Sequence, residues 1–379
     1  MTTSRSRATK GLEVEIIENP NEAEELVEDW TTLAVGAGPL ALPSFALAWW
    51  HHLGRGRLQL VVVRNGAGSL VGLAPLHLRR LGPISVLRWL GHGLGPVGEL
   101  LVGEAKGDVA GAIWNAVSGP DRVLDLTHYR HGGAGLDSLR QGDQWAVHAS
   151  LADQCPTIEL AGIESAVEYL SSPERRGLRK KLARVDRDLE DARAELEVRV
   201  VTDPGRVHSA IAEIDPIYDA AERAHPRLHL LTGHYRPFAI EAFAEAARVG
   251  QLALMIASID GCPIAFDVYV RTGNVASAWL GRFAPTARTW SPGHLLLRAG
   301  LEWATTNGLS TIDLQLGADE YKRRWATDAY DTLQLVAAAD RRRLVLGRAI
   351  RHSLEVGHGA RVLLRSGPPP AATATQPEL

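Results

Sequence analysis

Several groups of residues in this sequence have the types and spacing to do chemistry. One is Ser291-Pro-Gly-His-Leu-Leu-Leu-Arg-Ala. Ser is a favoured helix N-cap because its oxygen accepts from orphan amides, and Pro at the first helical position gives up no hydrogen bond. Gly293 leaves the backbone open to close approach, so a helix started by Ser291, Gly293 and His294 presents bare N–H groups at its positive end, which suits a phosphate. A second group lies in Pro263–Arg271, where alternation puts Asp267, Tyr269 and Arg271 on one face, opposite Ile264, Phe266, Val268 and Val270. Asp267 is a candidate general base, the plainer reading being a hydrogen-bonded or Arg-paired carboxylate. A third is the basic run Arg175, Arg176, Arg179, Lys180, Lys181 and Arg184. Arg176, Lys180 and Arg184 step by four and form one row, either a guide for an anionic substrate or a solvated face. A fourth is Gly317-Ala-Asp-Glu-Tyr-Lys-Arg-Arg-Trp325, just after a short apolar run.

The elements around these residues follow a repeated order. Leu58–Arg64, a turn at Asn65-Gly66, Leu70–Leu78 and Ile84–Leu90 read as three strands, followed by a helix over Gly107–Val117 and a strand at Val123–Leu126. Leu252–Ile259, Pro263–Arg271 and Val275–Phe283 read as three more strands, then the Ser291 helix to Asn307, then Ile312–Leu316, with a further strand at Thr332–Ala337. Both stretches give three antiparallel strands, a helix and a strand, so one plan occurs twice. Before the first copy, Glu13–Glu18 reads as a strand, Asn21–Ala34 as a helix, and Ser44 as the cap of a helix through His52. Between the copies a helix over Pro173–Leu196 buries Leu178, Leu182, Val185, Leu189, Ala192 and Leu196. The basic run opens this helix and acidic residues close it, the reverse of what the helix dipole prefers.

Composition narrows the class. The 379 residues suit two domains, and 45% hydrophobic with 22% charged content reads as globular. A net charge of −3 gives no whole-chain case for nucleic acid. Cys155 and Cys262 make neither a disulfide framework nor a zinc site, and the spacing of His225, His229 and His234 fits no common zinc pattern, so no metal is expected. No run is long enough for a membrane span, and the polar, basic start is not a secretory signal, so the location expected is cytoplasmic. Gly93-Leu-Gly-Pro-Val-Gly98 fits a dinucleotide-loop pattern but carries a Pro and opens no helix, so it reads as a loop.

Taken together, Arg176-Gly-Leu-Arg-Lys-Lys-Leu, Asp260-Gly-Cys-Pro-Ile-Ala, Ser291-Pro-Gly-His-Leu-Leu-Leu and Gly317–Trp325 resemble the GNAT acyltransferase superfamily. More closely they are similar to the CelD/BcsL (BioF2-like) acetyltransferases, which are related to FemAB-type aminoacyl transferases. A weaker similarity runs through Gly72-Leu-Ala-Pro-Leu and Leu87-Arg-Trp-Leu-Gly91. The resemblance implies an α/β (α+β) fold of tandem GNAT-like domains, each a mixed, mostly antiparallel sheet flanked by helices. The two central parallel strands of each would splay, with the pantetheine arm of acetyl-CoA in the gap between Val275–Phe283 and Ile312–Leu316 and its pyrophosphate at Ser291–His294. The chain departs from the usual Gln/Arg-x-x-Gly-x-Gly/Ala loop, keeping only Gly293 and a Pro.

Acyl transfer to an amine needs a base, an oxyanion donor and a leaving thiolate. The strand alternation offers Asp267 as candidate base. The resemblance implies an oxyanion donor in the backbone of the splayed strand near Gly281, and puts Lys322 with Tyr321 in the place of a Phe-Lys pair that handles phosphate or oxyanion charge. Trp325, Arg176, Lys180 and Arg184 are the expected acceptor-binding residues. The acceptor would be a primary amine on a small molecule, an amino sugar or a peptide. A tRNA-borne aminoacyl donor and a catalytically inactive binding module are the alternatives. The expected organisation is a disordered tail (1–11), an N-terminal degenerate GNAT-like domain (12–160), connecting helices (161–200), a C-terminal acyltransferase domain (201–340), a basic helix (341–365) and a second disordered tail (366–379).

Overall fold

The structure, a computed structural model, describes residues 11–95, 97–103, 106–224 and 230–352. Its strands are β1 Leu12–Ile17, β2 Arg57–Asn65, β3 Leu70–Leu81, β4 Ile84–Trp89, β5 Leu101–Val102, β6 Arg122–Arg130, β7 Ala146–Glu159, β8 Leu196–Val201, β9 Leu252–Ile259, β10 Cys262–Thr272, β11 Val275–Phe283, β12 Thr311–Asp313 and β13 Asp328–Ala338. They form one sheet in the order β1-β2-β3-β4-β6-β13-β7-β12-β11-β10-β9-β8, with β5 against β3.

The repeated plan is present. Antiparallel β2, β3 and β4 lead through the helix Lys106–Ala116 to β6, which runs parallel to β4. Antiparallel β9, β10 and β11 lead through the helix Pro292–Thr306 to β12, parallel to β11. The closing strands are exchanged. β7, from the first half, pairs with β12, while β13, from the second, pairs with β6, and the two pair with each other along most of their length.

Alternation along the strands sends side chains to two layers. On one face the helices Pro43–Leu53 and Arg236–Arg248 pack on each other, so a single apolar core spans both halves. Phe45 meets Trp279 edge-on there, with ring centroids 4.7 Å apart. On the opposite face the helix Lys106–Ala116 covers the first half and the helix Pro292–Thr306 the second. At Gly300 a Cβ would collide with the Tyr269 hydroxyl, so a glycine there lets that helix lie close to β10.

Some local expectations fail. Asn21–Ala34 is two helices, Pro20–Glu24 and Val27–Leu33. Ser44 caps nothing, because Leu42 is the N-cap and the Ser44 hydroxyl is buried without a partner. The helix expected over Pro173–Leu196 is a 3₁₀ turn, Pro173–Arg175, and an α-helix, Arg176–Ala192. It stops at Arg193 in a left-handed conformation, and Leu196, which continued the apolar stripe, instead starts β8 beside β9. Leu178, Leu182, Val185 and Leu189 are buried as the stripe requires. Of the expected C-terminal basic helix, 341–352 is helical and 353–365 lies outside the described residues. His225, His229, nearly all of the first tail and the whole of the second also lie outside them.

Candidate active site

The second half contains an open gap between two parallel strands. β11 and β12 pair from Val275↔Thr311 to Ser277↔Asp313 and no further. β11 continues to Phe283, while the chain after Asp313 kinks at Gln315, which has φ 57°. Just past the last paired residue β11 carries a bulge: Tyr269 opposes Ala278 and Val268 opposes Leu280, leaving Trp279 as the extra residue. Bulges raise local twist and re-aim the strand, and this one helps to part β11 from β12.

The equivalent place in the first half is sealed. β4 and β6 pair from Ser85↔Arg122 to Leu87↔Leu124. The next residues, Arg88 and Asp125, join across the gap, with Nε and Nη2 at 2.8 and 2.6 Å from Oδ2. Arg351 holds the other oxygen of Asp125, and Gly98 bridges to Tyr129 beyond. The charged side chains and the loop occupy the first gap, and among the described residues no such link crosses the second.

Polar side chains gather at the open gap. Asp267 lies opposite Gly281, and its Oδ1 is 2.9 Å from where a Cβ on residue 281 would stand. Burial pushes its carboxyl up to about 7, against the pull of the Lys322 ammonium. Lys322 is half-buried, and its Nζ donates to the carbonyls of Leu314 and Leu316, each at 2.7 Å, on either side of Gln315. Burial lowers its pKa, opposed by Asp319, Asp267, Cys155 and Asp313. Tyr321, the neighbour of Lys322, is 42% exposed. Asp313 accepts from the Tyr330 hydroxyl at 2.6 Å and the Gln315 N–H at 2.8 Å, and burial raises its carboxyl. Cys155 is fully buried with its thiol pushed up to about 12, so it supplies no thiolate at neutral pH.

The Ser291 turn differs from its expected form. Pro285–Trp290 is a 3₁₀ helix that runs into Ser291, whose left-handed backbone (φ 51°, ψ 53°) opens the next helix without any side-chain cap. The His294 amide already donates to the Ser291 carbonyl at 2.9 Å, and Pro292 has no N–H. The Gly293 amide is therefore the one this turn leaves for an anion, and nothing lies within 4 Å of the Cβ position at Gly293. Burial lowers the pKa of His294, and the positive charges of Lys181 and Arg324 lower it further.

Trp325 requires a correction. It is 0% exposed, stacks beside Tyr169 and donates from Nε1 to His294 Nδ1 at 2.9 Å, so it shows no face to a substrate. That bond leaves a neutral His294 with its proton on Nε2. Within the basic run, Arg175 donates to the carbonyls of Arg324 and Ala326, which ties the helix start to the Lys322 segment, and Arg179 donates to those of Leu170 and Ser172 just before the helix. Arg176, Lys180 and Arg184 are exposed, and Arg184 stands 3.8 Å from Asp188. The sequence reading missed Asp313, Gln315, Tyr330 and the Arg88–Asp125 pair. Asp313 offered one signal, an acid inside the apolar run Ile312–Leu316. Among the described residues no group of His, Cys, Asp and Glu is placed to hold a metal.

Residues 176–323 match the family model described as an acetyltransferase (GNAT) domain. The match contains Asp267, Gly281, the Ser291 turn and Lys322, so the open gap belongs to a GNAT-type domain and the protein is an acyltransferase. No curated protein matches the sequence. Among solved structures, FemX superposes with a TM-score of 0.61 at 10% identity, over 86% of this chain and 97% of that one. The C-terminal domain of a putative lysylphosphatidylglycerol synthetase from Agrobacterium fabrum gives 0.57 at 14% identity, over 85% and 94%. L-PGS from Bacillus licheniformis gives 0.56 at 12% identity, over 86% and 93%. At these identities the likeness is one of fold.

Proposed function

We propose that this protein is an N-acyltransferase of the CelD/BcsL type that moves an acetyl group from acetyl-CoA to a primary amine of a small molecule, amino sugar or peptide. The observation that carries the reading is the contrast between the two gaps, one crossed by Arg88 and Asp125, the other open beside Asp267 and Lys322. On this reading 12–160 is a degenerate GNAT-like domain, 161–200 connects, and 201–340 performs the transfer. The pantetheine arm lies along the edge of β11 that β12 leaves free. The pyrophosphate meets the Gly293 amide and the charges of Lys181 and Arg324.

Asp267, with a pKa of about 7, takes a proton from the acceptor ammonium at neutral pH. The amine nitrogen then bonds to the thioester carbon, and the oxyanion is held by a β11 amide near Gly281. The carbon–sulfur bond breaks, and the thiolate leaves readily because a thiol has a pKa of about 8.5. One of the two protons still on nitrogen passes to the departing thiolate as the amide forms, and the other stays as the amide N–H. The Lys322 ammonium stabilises the charge that develops. Transfer takes place in the cytoplasm, where the free thiols of Cys155 and Cys262 stay reduced. No helix among the described residues is long and apolar enough to cross a membrane.

A second reading, with aminoacyl-tRNA as donor, draws support from the exposed row Arg176, Lys180 and Arg184. Thermal shift separates the two. Acetyl-CoA raises the melting temperature if the first reading holds. A rise with charged tRNA and none with acetyl-CoA gives the second. No shift with either would leave an inactive binding module.

A further inference from the structure

Arg130 ends β6 and stands half-buried with its guanidinium carbon 3.9 Å over the ring of Tyr330. Among the described residues no carboxylate lies within 4.0 Å of that guanidinium, and it donates no hydrogen bond to the protein. A stacked guanidinium keeps its in-plane N–H groups free, in a fork that matches a carboxylate. Gln315, whose N–H donates to the same Asp313 that accepts from the Tyr330 hydroxyl, is 5% exposed, yet neither Nε2 nor Oε1 of its carboxamide has a partner. A buried amide left unmatched costs about 1–3 kcal/mol, so its presence calls for a reason.

The two groups share one support. Asp313 accepts from both the Tyr330 hydroxyl and the Gln315 N–H, and Lys322 holds the carbonyls flanking Gln315. Arg130, Tyr330, Asp313, Gln315 and Lys322 therefore form one connected cluster, contributed by β6, β12, β13 and the segment after β12. Two acids act on Arg130 from beyond ion-pair distance. Glu99 accepts from the Gly38 N–H at 2.8 Å, and burial raises the carboxyls of both Glu99 and Asp313, which leaves more of the guanidinium charge uncompensated.

We infer that Arg130, with the Gln315 carboxamide beside it, binds a carboxylate of the acceptor, so that the amine acetylated is an amino acid or peptide rather than a neutral amino sugar. The first half then selects the acceptor through a side chain on β6, while the second half performs the transfer. This inference rests on the acetyl-CoA reading above. A phosphate ester would satisfy the same guanidinium and is a separate outcome of the test.

The test is release of CoA thiol from acetyl-CoA with the protein amino acids, L-alanyl-L-alanine, its C-terminal amide, glucosamine and glucosamine 6-phosphate. Turnover confined to carboxylate-bearing amines is expected, with kcat/KM for an acid at least about tenfold above its amide. Arg130→Met should raise the acceptor KM at least about tenfold and leave acetyl-CoA affinity by calorimetry within about twofold. If Arg130→Met loses acetyl-CoA binding as well, Gln315→Met decides. It should raise the acceptor KM without lowering the melting temperature, because it removes an unmatched amide. The inference is overturned if the amide or glucosamine serves as well as the acid, if only the phosphate ester is used, if no carboxylate-bearing amine turns over, or if the deciding variant keeps the wild-type acceptor KM. A wild-type protein that fails to bind acetyl-CoA would sink the donor reading instead, which calorimetry shows separately.

Discussion

Asp267 faces Gly281 across the β10–β11 pair, with Oδ1 2.9 Å from the position a Cβ on residue 281 would take. The carboxylate occupies space that any other residue would fill. Gly281→Ala should push Asp267 out of line and lower kcat by roughly 10- to 100-fold, since small misplacements of a reacting group are costly. Acetyl-CoA affinity and the far-UV spectrum should hold. A variant with wild-type kcat would show that the contact does not matter to the reaction.

The same carboxyl sets a pH dependence. Its folded pKa of about 7 lies above the ordinary 3.8, so the fold prefers the neutral acid. Stability contributed by Asp267 is full below 3.8 and is lost as pH rises to about 7, whereas a base must be ionised to act. Asp267→Asn should therefore lower kcat by about 10²-fold or more while raising stability at pH 8, by up to about 4 kcal/mol before solvent screening. Wild-type kcat/KM should climb through pH 7. A flat profile between pH 6 and 8, or a variant less stable at pH 8, would remove Asp267 from the role of base.

Lys322 has two tasks in this structure, and both show in Lys322→Met. Loss of the two bonds to Leu314 and Leu316 should cost about 1–3 kcal/mol, where an exposed lysine would cost almost nothing. Loss of the ammonium should lower kcat by about 10²-fold. Denaturant midpoints and initial rates measure the two separately. Unchanged values of both would return Lys322 to an ordinary surface position.

The first half carries an acid-sensitive pair. Burial holds His77 at about 4 and His92 at about 3, below the ordinary 6.5. Both are neutral in the fold and protonated in the unfolded chain, so their stability is full above 6.5 and falls as pH drops toward 4. The slope is about 1.4 kcal/mol per pH unit for each histidine. Denaturation at pH 7.5, 5.5 and 4.5 should show the loss, and the double variant His77→Gln, His92→Gln should show less of it. Equal slopes for the two proteins would mean that other groups drive acid unfolding.

Much of this fold can be read from sequence because its signals are local. The alternation in Pro263–Arg271, the Gly273-Asn274 turn and the Ser291-Pro-Gly start each specify an element without help from distant residues. β7 escapes such reading because it is buried only near Cys155–Ile158 and draws its stability from strands of both halves, so its residues show no clean alternation. The helix Pro204–Ala224 contains Pro216, which breaks the expected helical pattern. At the site, Asp267, Gly281, Gly293 and Lys322 are visible as unusual residues at plausible places. Their partners are not. Lys322 bonds to carbonyls, Trp325 to a histidine 31 residues away, and Arg88 to an aspartate 37 residues away, and no periodicity encodes those meetings.

The central claim is that one gap, and not two, takes the acyl donor. Isothermal calorimetry with acetyl-CoA tests it most directly, on the wild type and on Gly293→Asp. The account predicts one molecule bound per chain, and loss of binding when a carboxylate enters the open space at Gly293 with the fold retained. Two molecules bound per chain, unchanged affinity in a folded Gly293→Asp, or no binding to the wild type would contradict it.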